Sequence, residues 1–221
     1  MDRRAVRALA VRAAGHCAPR RRSLPARGGR IAVTFDDGPD PVHTPLVLDE
    51  LARLGMVATF FVTGQRAERH PDLVRRIVAE GHAIGSHSDS HPEPWRTGFR
   101  RLVDDYRSGR RHVERAAGRP VRLFRPPYGD MSGSAGLAAL AARVRPWLWT
   151  LDPHDWEPGA TTEAISGRLD PLRAGDVVLL HDSIEGPTAG EAGDRHATVA
   201  TLAHLAELAH DRQLAFVALG A

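Results

Sequence analysis

From Arg30 onward, short apolar runs alternate with longer segments whose apolar residues recur at helical spacing. The run IAVTF at 31–35 is β-branched and aromatic and predicts a first strand. Residues 43–55 read as a helix, with Thr44 as N-cap, Pro45 at the first helical position and Gly55 just past the end. VATFFV at 57–62 predicts the second strand. Residues 70–81 repeat the helix grammar, with Pro71 early, Gly81 late, and Leu73, Val74, Ile77 and Val78 in one stripe. A short third strand is expected at 83–86, a long polar helix at about 98–117 and a fourth strand at 121–124. An alanine-rich helix at 134–142 and a fifth strand at 147–151 follow. DVVLL at 176–180 reads as a sixth strand buried on both faces. A last helix from His196 to His210 has apolar positions at 199, 202, 205, 206 and 209, and the run 214–219 closes the chain as a seventh strand.

Strands alternating with helices imply parallel pairing, in either an open doubly wound sheet or a closed barrel. The glycine fingerprint of a dinucleotide site is absent after the first strand, where DDGPDP stands instead, which weakens the open-sheet reading. Seven strands in about 190 residues suggest a compact, incomplete relative of the eight-stranded barrel.

A chain of 221 residues suits one domain with a full-sized core, and a hydrophobic content of 42% excludes disorder as its main state. No window approaches the length of a membrane span. Cys17 is the only cysteine, so no disulfide within the chain is available. The net charge of +3 hides an asymmetry: residues 1–30 carry nine arginines against one acid. All the strong bases are arginine, which is a compositional habit and carries no functional signal. Residues 1–29 are expected to be a solvated, poorly ordered basic leader ahead of a single domain at 30–221, and a nucleic-acid partner is not expected. Arg7 and Arg12 interrupt the stretch where a secretion signal would be apolar. As it stands the chain reads as cytoplasmic, with a secreted or cell-wall-facing protein as the alternative if the start is misassigned.

Polar residues suited to chemistry gather where the strands end. Asp36 and Asp37 follow the first strand, His87 and His91 the third, Arg125 and Tyr128 the fourth, Asp152, Asp155 and Trp156 the fifth, and His181 the sixth. In a parallel α/β barrel all of these exits open on one face, the face that carries the active site. Any one cluster could be a turn or a cap, and the two aspartates could merely start the turn at Gly38-Pro39. Five convergent clusters are hard to explain that way. The segment HSDSH at 87–91 puts two imidazoles four apart, which on one turn of helix share a face and could ligate one ion. The zinc-protease helix has that spacing but keeps a glutamate between the histidines; here Ser88, Asp89 and Ser90 intervene, so a third ligand and a base must come from elsewhere. Two imidazoles and a carboxylate suit zinc, cobalt or iron(II). One of the adjacent aspartates can act as base toward an activated water, His181 can act as acid, and Arg125 can fix an aspartate. The residues alone describe metal-assisted hydrolysis of an acyl compound.

TFDDGPD, HSDSH, RPPYG, DPHDW and LLH stand in an order and spacing that resembles the polysaccharide deacetylase family, also called the NodB-homology domain or carbohydrate esterase family four. The resemblance covers roughly 30–219. It implies a single-domain α/β fold, a distorted (β/α) barrel of about seven parallel strands, and removal of acetyl groups from sugars. It implies Asp36 as general base, Asp37 as carboxylate ligand, and His87 and His91 as the remaining metal ligands. By the same resemblance Arg125 would hold Asp36, and the Tyr128 backbone N–H would stabilise the oxyanion. His181 would protonate the leaving amine under the influence of Asp155, and Trp156 and Leu179 would line the acetyl pocket. The expected cofactor is one divalent ion, Zn2+ or alternatively Co2+ or another divalent ion. The expected partner is an acetylated glycan or amino-sugar substrate, and the protein is expected to be a monomer.

The other singled-out residues have plainer readings. Asp152 is expected to support its loop, and His154 to be a loop residue and not a ligand. His196, His204 and His210, on the last helix, read as surface or packing residues. Trp147 and Trp149 share one strand face and read as core, while Trp95 could be a sugar-stacking platform. Three functions fit: deacetylation of N-acetylglucosamine units in chitin oligomers or peptidoglycan, the same chemistry on a small acetamido-sugar metabolite, or a sugar-binding module without turnover.

Overall fold

The computed structural model describes residues 21–186 and 193–220. Seven strands are present among them: β1 Arg30–Asp36, β2 Ala58–Val62, β3 Ala83–Ser86, β4 Leu123–Phe124, β5 Arg145–Pro146, β6 Val177–His181 and β7 Ala215–Phe216. They pair in parallel in the order β5-β4-β3-β2-β1-β6, with β7 added beside the start of β1. Seven α-helices accompany them: α1 His43–Leu54, α2 Gly64–Arg69, α3 Pro71–Ala79, α4 Phe99–Ala117, α5 Gly133–Ala141, α6 Thr162–Leu169 and α7 His196–Asp211. No helix among the described residues is long and apolar enough to cross a membrane.

The segment 147–151, expected as the fifth strand, closes the curled sheet into a distorted barrel but is not itself a strand. Only Arg145 and Pro146 form β5, because the residues beyond divide their bonds among several partners. Trp147 N donates to Phe124 O, and Leu148 N donates to Arg21 O. Leu151 then bridges Val178 of β6 across the seam, with Leu179 N donating back to Leu151 O.

Alternation along the strands sorts the core into layers. Ile31, Val33, Phe35, Ala58, Phe60, Val62, Val178 and Leu180 face outward and pack under the helices. Ala32, Phe61, Val177 and Trp147, with Leu219 and the partly buried Leu123, fill the barrel interior. Interior positions nearer the strand ends change to polar residues: Thr34 and Asp36 on β1, His181 on β6, and His87 and Arg125 just beyond β3 and β4. The barrel thus has an apolar floor and a polar mouth.

Three local expectations differ from the structure. Thr44 does not cap α1, which begins at His43. The Asp40 carboxylate accepts from the backbone N–H groups of Val42 and His43 instead, as short acidic side chains do in turns. Helices α2 and α6 carry no strong apolar stripe and escaped the periodicity reading; α6 is capped by Thr161, which accepts from Ala164 N. The chain also contacts the domain upstream of the boundary drawn at residue 30. Arg21 pairs with Trp147 by a backbone bridge and sets its guanidinium over that ring, and Leu24 N donates to Gly175 O. The remainder of the expected leader, residues 1–20, lies outside the described residues, as does Cys17.

Candidate active site

Asp36 is the last residue of β1 and points into the barrel. Its neighbour should point away, but Asp37 has a left-handed backbone (φ 72°), a conformation that aspartate tolerates better than most residues. That turn brings a second carboxylate to the mouth. Asp37 Oδ2 accepts the backbone N–H of Glu185 at 2.8 Å, which leaves Oδ1 facing His87 Nε2 at 3.3 Å and His91 Nε2 at 3.4 Å. This Oδ1 is buried and has no hydrogen-bond partner.

His87 and His91 converge, but not on a helix as the sequence spacing suggested. Residues 87–91 form a loop in which Ser88 (φ 67°) and His91 (φ 51°) are left-handed. The loop is pinned from both sides. The first N–H groups of α2, from Gly64 and Gln65, donate to the carbonyls of Ser88 and Asp89. The Asp105 carboxylate on α4 accepts from Asp89 N, Ser90 N and Ser90 Oγ. Gly109, also on α4, lies against the Ser88 carbonyl so closely that a Cβ there would overlap it. His87 Nδ1 donates to the Arg125 carbonyl at 2.7 Å, which frees Nε2 to face Asp37.

Arg125 is fully buried and satisfied on every side. Nη1 donates to Asp36 Oδ1 at 2.7 Å and to Thr34 Oγ1 at 2.6 Å. Nε and Nη2 donate to the carbonyls of Trp147 and Leu148, and the guanidinium lies 4.3 Å from the centre of the Phe61 ring. Burial lowers its pKa, while Asp36 works to raise it.

His181 closes the mouth from β6. Its Nδ1 meets Asp155 Oδ1 at 2.7 Å, and its backbone N–H donates to Asp155 Oδ2 at 2.9 Å. Thr198 Oγ1 donates to that same Oδ2, and Arg195 Nη1 to the Asp155 carbonyl. Burial would lower the imidazole pKa, but Asp155, Asp37 and Asp36 outweigh it and push the group up to about 9. Burial would likewise raise the Asp37 carboxyl, yet the rings of His87, His91 and His181 hold it far below the usual carboxylate range. The two facing imidazoles shift oppositely. His87, between Asp36 and Asp37, is raised against the effect of burial, whereas burial and the neighbouring His87 keep His91 low.

The remaining predicted residues sit at the rim or just below it. Tyr128 lies in a 3-10 turn, Pro127–Gly129, with a left-handed backbone (φ 57°). Its ring packs between His91 and the exposed Trp95, at centroid distances of 4.7 and 4.9 Å. Leu179 is buried on β6 two residues before His181, on the same interior face. Trp156 is exposed and stacks on His154. Asp152 supports its loop by accepting from His154 N. Trp147 is buried in the barrel interior, and Trp149 lies beside Arg125.

Several contributors were not legible in advance. The Glu185 N–H and the Arg195 and Thr198 side chains reach the site from the loop and helix after β6, and no motif marks them. Asp182 follows His181 directly. It is fully buried, receives a hydrogen bond from Thr44 Oγ1 at 2.5 Å, and is pushed up to about 7 by burial.

Asp37, His87 and His91 offer one oxygen and two nitrogens within 4.8 Å of one another. The unpartnered Asp37 oxygen, the imidazole nitrogens aimed at it and the anchored far side of His87 fit a divalent cation.

The family profile described as polysaccharide deacetylase matches residues 24–147. A peptidoglycan-N-acetylglucosamine deacetylase of Bacillus cereus is 37% identical over 177 residues, 79% of each chain. A chitooligosaccharide deacetylase of Sinorhizobium fredii is 37% identical over 82% of this chain and 86% of its own. Among solved structures, a peptidoglycan N-acetylglucosamine deacetylase in complex with 4-naphthalen-1-yl-N-oxidanyl-benzamide superposes with a TM-score of 0.83 at 30% identity, covering 94% of both chains. A family 4 acetyl xylan esterase from Clostridium thermocellum in complex with a cobalt ion gives 0.74 at 30% identity, over 86% of this chain and 87% of its own.

Proposed function

Because the chain belongs to the polysaccharide deacetylase family, we propose that it hydrolyses the acetamide of N-acetylglucosamine units in peptidoglycan or chitin-type oligosaccharides. The observation that carries this reading is the bare, buried Asp37 Oδ1 between two imidazole nitrogens, on the mouth that also holds Asp36 and His181. The ligands would be Asp37, His87 and His91. Two nitrogens and one oxygen favour zinc, with cobalt as a workable substitute. When bound, such an ion supplies Lewis acidity toward a carbonyl and toward water.

The chain's own residues supply the proton transfers. Asp36 is the base that takes a proton from the attacking water. Arg125 occupies its Oδ1, so Oδ2 does the accepting. As the water oxygen bonds to the acetyl carbon, the backbone N–H of Tyr128 donates to the oxygen that gains charge. His181 gives the proton on Nε2 to the nitrogen as the carbon–nitrogen bond breaks, which leaves acetate and a free amino sugar. Asp155, by holding Nδ1, makes Nε2 the exchangeable end of the ring. Leu179 and Trp156 form the apolar wall for the methyl group, and the adjacent rings of Trp95 and Tyr128 offer a platform on which a sugar can stack.

Acetate release from chitin oligomers, peptidoglycan and free acetamido sugars tests the reading. Release from the first or second supports it. Release from the free sugar alone moves the function to a small metabolite, and sugar binding without any release makes the protein a binding module.

A further inference from the structure

A second group of ligating side chains lies outside the mouth. His43, the first residue of α1, and His196, the first residue of α7, are more than 150 residues apart in sequence, yet they face each other across Asp194. One ligand atom from each of the three lies within 4.8 Å of the others. His196 Nδ1 meets Asp194 Oδ1 at 2.5 Å, His43 Nε2 stands 3.6 Å from the same oxygen, and the two rings are edge-on with centroids 5.7 Å apart.

We propose that His43, Asp194 and His196 form a second, weaker cation site at the surface that takes a first-row divalent ion such as Zn2+. A plain histidine–aspartate pair would account for His196 and Asp194. It does not account for the direction of His43 Nε2, because 3.6 Å is too long for a hydrogen bond. His43 is nevertheless held in a specific pose. Its Nδ1 meets Asp40 Oδ1 at 3.1 Å, and Asp40 is itself fixed by the backbone N–H groups of Val42 and His43 and by Arg66. A carboxylate on one ring nitrogen with the other nitrogen directed at a shared point is the arrangement that metal-bound histidines adopt. Asp194 and His196, two residues apart, complete the set from one short segment.

Charge decides whether a cation is tolerated here. Both histidines begin helices, where the backbone dipole disfavours positive charge. Asp40 and Asp194 offset this, since the Arg66 charge is shared with Glu185. Asp194 and His196 are exposed, so the ion keeps part of its water shell and binds less tightly than in the buried centre. Once bound, it pins the start of α1, which follows the Asp36-Asp37 turn, to the start of α7, which carries Thr198 to Asp155.

The test is metal analysis of the untagged full chain after equilibrium dialysis against a series of Zn2+ concentrations. The expected result is two ions per chain with separate affinities. His196→Ala should lose the weaker one and keep the tighter, with His43→Gln as a second variant giving the same loss. His87→Ala should lose the tighter and keep the weaker. One ion per chain in the parent protein would overturn the proposal, and so would two ions persisting in both His196→Ala and His43→Gln.

Discussion

Asp36 and His181 are register partners on the adjacent parallel strands β1 and β6. Partners in a ladder point to the same face, and neighbouring strands lie about 4.8 Å apart. The proposed base and acid therefore stand side by side on the interior face, at a spacing set by the sheet and independent of any loop. Asp36→Asn keeps an acceptor for Arg125 and should keep the metal, at a cost in stability, while lowering kcat by about 100-fold to 10,000-fold, the usual share of a positioned acid or base. Metal analysis beside acetate release checks this; a variant with near-normal turnover would remove Asp36 from the chemistry.

Arg125 joins floor and mouth. Replacing it with methionine leaves the Asp36 carboxylate buried without its partner and strips the carbonyls of Trp147 and Leu148 of a donor. The expected loss of stability is about 3–5 kcal/mol, measured by denaturant unfolding. Arg125→Lys should recover only part of it, because an ammonium lacks the planar fork.

The elevated His181 pKa fixes the sign of one pH dependence. The folded value, about 9, lies above the ordinary imidazole value, so its stabilising contribution is full below about pH 6.5 and fades as pH rises toward 9. The acid must be protonated to work, so activity should have a basic limb. Asp155→Asn removes the largest of the contributions that raise the pKa, and should move that limb to lower pH in a profile of kcat. An unmoved limb would show that another group sets it.

Gly109 and Gly167 make a matched pair on helices. Alanine normally favours a helix over glycine by about 1 kcal/mol. Gly167 has open space around its missing Cβ, so Gly167→Ala should leave Tm level or raise it. Gly109→Ala would drive a methyl into the Ser88 carbonyl and the Asp89 N–H, both parts of the loop that carries His87 and His91. It should lower Tm and weaken metal binding by about tenfold or more. Thermal melts and metal titration of the two variants decide it.

How far the sequence could be read follows from the range of each interaction. Apolar runs such as those around Phe35, Phe60 and Leu180 declare strands because their own pattern is dictated by burial. Helix α2 did not declare itself, because it is six residues long and largely polar. The spacing of His87 and His91 suggested a helical turn, but contacts from Gly64, Asp105 and Gly109 impose a loop that no local pattern encodes. The adjacent aspartates were visible as a pair. What separates them is the left-handed backbone of Asp37 and the Arg125 guanidinium on Asp36, neither of which the residues express by themselves. Glu185, Thr198 and Arg195 come from the region after β6 and meet the site only once the barrel closes.

The central claim is that a divalent ion held by Asp37, His87 and His91 is required beside Asp36 and His181. Acetate release from N-acetylglucosamine oligomers by protein stripped of metal, then reloaded with Zn2+ or Co2+, tests it most directly. Stripped protein should release no acetate above background, reloading should restore turnover, and His87→Ala should not be rescued. Undiminished release from fully stripped protein, or from the His87→Ala variant, would contradict the account.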